Sequence, residues 1–156
     1  MLLYDNEFLP HAQILLENAK SHIRISTFKA ELSQKPQGMR LRKFFHTLAL
    51  KNSQGVQIDF LINKNDNNRS TPRSNIPLIR YLIAHKINVR TLRNNRCCHA
   101  KILISDNECA IIGSHNLSIK SCCCNFETSY IIHDEPNLAR LTAVYEEAWR
   151  SGAAAT

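Results

Sequence analysis

The sequence predicts an α/β fold, a mixed β-sheet flanked by helices on both faces, and three observations carry that prediction. Helical and strand periodicities alternate through the first half of the chain, strand-like segments cluster in the second half, and one long amphipathic segment closes it. At 156 residues the chain is the size of one domain. We place that domain at 1–150 and expect a disordered tail, "SGAAAT", at 151–156.

From Phe8 to about Ser21, the residues Leu9, Ala12, Leu15, Leu16 and Ala19 recur at the spacing of one helix face, and "HIRISTF" then alternates as a strand does. A polar stretch with Pro36 and Gly38 precedes a second amphipathic helix, "LRKFFHTLALKNSQG", whose end Gly55 marks. "VQIDFLIN" follows as a strand. The Asn-, Ser- and Pro-rich segment 64–75 reads as an exposed loop leading into the helix "IPLIRYLIAHK". The strands "INVRTLR", "HAKILISD", "ECAIIGS" and "NFETSYIIHD" come next, and Pro136 lies in the first turn of the closing helix "EPNLARLTAVYEEAWR".

Composition narrows the partners. No run approaches the ~18 apolar residues of a membrane span, so no stable membrane insertion is expected. Asp5 and Glu7 stand where a secretory signal would carry cations, and the expected location is the cytoplasm. Twenty Lys and Arg against 13 Asp and Glu give a formal charge of +7, which suits a polyanion: nucleic acid, an anionic membrane surface or a phosphorylated metabolite. Six cysteines lie between 97 and 124. Neighbouring cysteines on a strand point to opposite faces, so "CC" and "CCC" do not chelate as a CxxC turn does. No metal site is expected, and most of these thiols should be small buried hydrophobes.

The chemistry concentrates in "HAKILISD", where His99, Lys101 and Asp106 read HxKx4D. "GSHNLS" follows with Ser114 and Asn116, and "NFETS" with Glu127. Positions two apart on a strand share a face, so His99 projects with Lys101, and Ser114 with Asn116. Asp106 falls on the face opposite His99 by the same count and reads as a structural or network member of the candidate set. His115 should likewise face away from the Ser114–Asn116 side.

This constellation resembles the phospholipase D superfamily, whose signature is HxKx4D, then GSxN, then a downstream acidic residue. Length and element order are similar to its small single-motif bacterial nucleases, and the resemblance runs from the opening helix to Trp149 and Arg150. It implies a phospholipase D-like fold and metal-independent, cofactor-free cleavage of a phosphodiester through a covalent phosphohistidine. On that basis His99 is the nucleophile, and Glu127 accepts its Nδ1 proton. Lys101, Asn116 and, less directly, Ser114 stabilise the charged transition state. The chemistry needs two such histidines. His11, His22, His46, His85, His115 and His133 lack the HxK context, so the resemblance implies a homodimer that shares one site across a two-fold axis.

For the substrate, nucleic acid is favoured by the charge and by the basic runs "RLRK" and "RTLRNNR", with Arg93 and Arg96 in the latter. Arg69 and Arg73, in the 64–75 loop, complete the expected substrate-binding set. The competing reading is a phospholipase D-type hydrolase acting on cardiolipin or phosphatidylcholine. It calls for an apolar rim, and segments 29–39 and 63–75 contain almost no large apolar residues. A noncatalytic nucleic-acid-binding module is the third reading, disfavoured because the motif is complete.

Overall fold

The computed structural model describes residues 1–64, 73, 75–94 and 96–155. Its elements are β1 (Leu2–Tyr4), α1 (Phe8–Asn18), β2 (His22–Thr27), α2 (Met39–Ser53), β3 (Gln57–Ile62), α3 (Asn75–Ala84) and β4 (Asn88–Leu92). There follow β5 (Lys101–Ser105), β6 (Cys109–Gly113), α4 (Ile119–Cys123), β7 (Thr128–Ile132), α5 (Glu135–Ser151) and β8 (Gly152–Ala154). Among the described residues the strands form one mixed sheet in the order β1-β7-β6-β5-β2-β3-β4-β8. The pairs β2–β3 and β3–β4 are parallel, because α2 and α3 return the chain to the same end each time, whereas the remaining neighbours run antiparallel.

Helices cover both faces, as the sequence predicts. On one face Leu16 of α1, Phe44, Phe45 and Leu48 of α2, and Leu78 and Leu82 of α3 pack in one cluster with Ile23, Ile25, Ile58, Phe60, Leu103 and Ile111 of the sheet. On the other, Leu138 and Tyr145 of α5 cover Leu61, Ile102, Ile104 and Ala110. The α5 face also buries polar groups, most of them paired, although the Thr142 hydroxyl of α5 has no partner among the described residues. Arg24 Nε meets Glu146 at 2.5 Å, and His22 Nε2 lies 2.8 Å from Asp59. Tyr145 Oη is within reach of the Ile25 and Asp59 carbonyls.

Three short elements escape the sequence reading, and one of them corrects it. The tail expected to be disordered from 151 instead ends α5 at Ser151 and forms β8 against β4, with Arg90 opposite Ala154 and Leu92 opposite Gly152. Backbone pairing needs no large side chains, and at Gly152 an added Cβ would stand 3.0 Å from the Thr91 carbonyl, so small residues fit this edge. β1 and α4, at three and five residues, are too short to show a period. The thiols also divide differently from expectation: Cys98 and Cys122 are buried and Cys109 is half-buried, but Cys97, Cys123 and Cys124 are exposed, Cys123 at the end of α4 and the other two in connections.

Candidate active site

The carboxyl ends of β2 and β3, the amino end of β5, the carboxyl end of β6 and the amino end of β7 meet at one end of the sheet. The register fixes this, with Ser26 opposite Ile102, Lys101 opposite Gly113, and Gly113 opposite Ser129. Gly113 is required there, since an added Cβ would lie 2.5 Å from Ser129 Cα and closer still to the Thr128 carbonyl. Every residue of the constellation except Asp106 sits at this end.

His99 lies two residues before β5 and is exposed. Its ring leans on Phe28, with centroids 5.0 Å apart and planes at 54°. Lys101 projects to the same side, as strand alternation predicts. Its Nζ lies 3.1 Å from Nδ1 and 3.3 Å from Nε2 of His99 and donates to the His99 carbonyl at 2.6 Å. An ammonium only donates, so whichever ring nitrogen bonds to it is the acceptor, and the near-equal distances select neither nitrogen. Burial pulls the Lys101 ammonium below its usual value, and the nearby Glu127 charge opposes that fall.

The backbone around His99 is clamped by residues the sequence reading passed over. Cys98 N donates to Asn63 Oδ1 at 3.1 Å, and Ser26 Oγ donates to the Ala100 carbonyl at 2.9 Å. Asn75, almost fully buried, donates to the carbonyls of Asn63 and Phe28 and accepts from Ala30 N. Asn75 opens α3, and its side chain ties two strand ends together. Asn116 Oδ1 accepts from Lys29 N at 3.0 Å, which assigns the amide and leaves Nδ2 as the donor it can offer a ligand.

Glu127 departs from expectation. Within the protomer its carboxylate does not meet His99; it accepts from Ser114 Oγ, from Ser121 Oγ at 2.7 Å and from Asn125 Nδ2 at 3.0 Å. Burial pushes this carboxyl up, but the bonds from Ser114, Ser121 and Asn125 outweigh it and hold the group below the usual carboxylate range. The Ser114 hydroxyl also accepts from Thr128 N at 3.1 Å, so its proton is spent on Glu127 and it acts by orienting that carboxylate. His115 faces away, as alternation predicts. It stacks on Phe8 at 4.6 Å, between Ser129 Oγ and the Asp5 carbonyl.

Asp106 lies at the opposite end of β5 from His99, in the left-handed region at φ 53°, and touches none of the groups around His99. Its carboxylate accepts from the backbone N–H of Lys20, Ser21 and His22 and from Ser21 Oγ, at 2.7–2.8 Å. It anchors the α1–β2 turn and is not a catalytic residue. Burial pushes the group up, but those donors together bring it down to about 2. A free Asp titrates near ~3.9, so the folded-state value is depressed, and the stability it contributes is present above ~pH 4 and lost as the pH falls toward about 2. Asp106→Ala should therefore lower unfolding stability by about 1–2 kcal/mol at neutral pH in a urea titration, solvent re-satisfying some donors, and the deficit should shrink as the pH approaches 2. An unchanged stability at pH 7 would contradict the anchoring role.

Of the arginines, Arg93 and Arg96 are exposed on the β4–β5 connection that leads into His99, and Arg73 is exposed before α3. Arg69 lies outside the described residues.

A family model described as the PLD-like domain of cardiolipin synthase matches residues 13–149. The chain belongs to the phospholipase D-like domain family. Cardiolipin synthase 1 of Staphylococcus epidermidis is 24% identical over 132 residues, 85% of this chain but 27% of that protein, so the chain spans about a quarter of the curated relative's length. Among solved structures, the phospholipase D family member Nuc from Salmonella typhimurium superposes with a TM-score of 0.80 at 19% identity, covering 99% of this chain and 97% of that one. NucT from Helicobacter pylori gives 0.75 at 17% identity, covering 99% and 98%. These likenesses bear out the mixed sheet as a phospholipase D-like fold.

Proposed function

We propose that the chain is a metal-independent, sequence-nonspecific endonuclease that hydrolyses DNA or RNA through a covalent phosphohistidine at a site completed by a second copy of itself. The observation that carries this reading is the His99–Lys101 pair: an exposed imidazole beside an ammonium, on backbone clamped by Asn63 and Ser26 at the end of the sheet.

Attack by the His99 nitrogen forms a phosphorus–nitrogen bond and breaks the bond to the leaving oxygen, which takes its proton from a second imidazolium. That second ring, now neutral, removes a proton from water; the hydroxide attacks phosphorus and His99 departs. Lys101 and the Asn116 amide offer fixed donors to the non-bridging oxygens while their charge grows. We assign the second imidazole to another protomer: four of the other six histidines have partners within the chain, and the remaining two, His46 and His133, lie on α2 and beyond the carboxyl end of β7, the end of that strand away from Ser129. His22 is held by Asp59, His11 and His85 bond to the preceding turns of their own helices, and His115 is enclosed by Phe8 and Ser129.

The surface offers a face for that copy. α5 covers only part of its side of the sheet, and across β1, β7 and β6 the opposed residues Leu2, Tyr130 and Ile112 form an exposed apolar row, each 37% exposed or more. A self-complementary two-fold contact there would cover the row beside Gly113 and Ser114. Glu127, which makes no bond to its own His99, would then orient the histidine of the second protomer.

A phospholipid substrate is the second reading, and specific observations favour it: the curated relative is a cardiolipin synthase, and Phe126, next to Glu127, is 86% exposed. The expectation of a rim without large apolar groups rested on segments 29–39 and 63–75 and overlooked this ring. Against the lipid reading stands the scarcity of large apolar residues in segments 29–39 and 63–75, while the charge of +7 and the arginines leading to His99 suit either anionic substrate. Incubation with plasmid DNA and with structured RNA in excess EDTA, beside vesicles of cardiolipin or phosphatidylcholine, separates the two. The nuclease reading expects strand cleavage with EDTA present and no lipid turnover. Lipid hydrolysis with intact nucleic acid would replace it, and loss of cleavage in EDTA would contradict metal independence.

A further inference from the structure

We propose that Ser121 is a positioning residue whose hydroxyl couples the backbone of Asn116 to the carboxylate of Glu127, so that the phosphate-facing amide and the acidic group are set as one unit. The inference rests on the phosphodiesterase reading above and adds a residue from α4 that neither the HxKx4D nor the GSxN segment contains.

Ser121 is 1% exposed. Its Oγ accepts from Asn116 N at 2.8 Å and lies 2.7 Å from Glu127 Oε1. The directions are forced. A backbone N–H can only donate and an ionised carboxylate can only accept, so the single hydroxyl proton points to Glu127 and a lone pair receives Asn116. The connected path then runs from Lys29 N to the Asn116 side chain, through the Asn116 backbone and Ser121 to Glu127, and on to Ser114. Each joint of that path is fixed by a hydrogen bond, so a shift at Ser121 moves both ends together.

Loss of the hydroxyl has two local effects. The Asn116 N–H loses its acceptor, which frees the residue whose Nδ2 is offered to the phosphate. Glu127 keeps Asn125 and Ser114 but loses the donor that fixes the plane of its carboxylate, and with it one of the bonds that hold its pKa down. The helix itself does not depend on this hydroxyl, because α4 is capped by Ser118 Oγ, which accepts from Ser121 N.

Ser118 therefore supplies the control. Ser118→Ala weakens the same short helix without touching Asn116 N or Glu127. With bis(p-nitrophenyl) phosphate, a phosphodiester that commits to neither nucleic acid nor lipid, Ser121→Ala should lower kcat about tenfold to hundredfold and change KM less than about threefold. The acid limb of its kcat–pH profile should move to higher pH. Ser118→Ala should lower Tm and leave kcat within about twofold of wild type. Asn116 amide hydrogen exchange, followed by NMR, should accelerate at least about tenfold in Ser121→Ala. A Ser121→Ala kcat within twofold of wild type, or a loss matched by Ser118→Ala, overturns the proposal. A wild type that fails to hydrolyse the probe counts against the phosphodiesterase reading itself; Asn116 exchange then decides the coupling alone, and an unchanged rate overturns it.

Discussion

His99→Ala should abolish phosphodiester cleavage, lowering kcat by roughly ten-thousandfold or more while leaving the fold intact. The size of the effect follows from the role: an imidazole that forms a bond to phosphorus has no substitute among the neighbouring groups. Lys101 cannot replace it, because its ammonium has no lone pair, and the Glu127 carboxylate is committed to Ser114, Ser121 and Asn125. The fold should not suffer, since the ring is exposed and its contacts are Phe28 on one side and Lys101 on the other. Circular dichroism and Tm should match wild type within about 2 °C. Retained turnover in a folded His99→Ala protein would remove the proposed nucleophile.

Placing charge on the exposed sheet face should have the second-largest effect. In Ile112→Asp/Tyr130→Asp the two carboxylates replace opposed side chains of β6 and β7 that are 37% and 52% exposed, so the isolated protomer tolerates them. Across a two-fold contact they would confront their own copies and lose water, which opposes association by several kcal/mol. The variant should sediment as a monomer and cleave at least about a thousandfold more slowly at the same concentration. Wild-type specific activity should also fall on dilution through the dissociation constant. A fully active monomer would contradict the shared site.

Much of the site was legible because a strand repeats every two residues. That period placed Lys101 beside His99 and sent His115 inward to Phe8, and it set Asp106 apart from the centre. The parallel β2–β3–β4 unit was legible for a similar reason, since each strand-like run was followed by an amphipathic helix long enough to show its face. What could not be read depends on contacts between distant segments. The resemblance implied that Glu127 serves His99, but within the protomer Ser121 and Asn125 bond to it, and Ser121 sits on a helix of five residues with no detectable period. Asn75 gains its role only when Phe28 and Asn63 arrive beside it from the ends of β2 and β3. β8 is made of Gly and Ala, and only its partner β4 makes it a strand.

The stereochemical course at phosphorus tests the central claim most directly. Each in-line displacement inverts the configuration, so attack by His99 followed by attack of water returns the original arrangement. A phosphorothioate linkage of single configuration, hydrolysed in water carrying heavy oxygen, should yield a product of retained configuration. Inversion would mean that water attacks phosphorus in one step and that no bond to His99 ever forms.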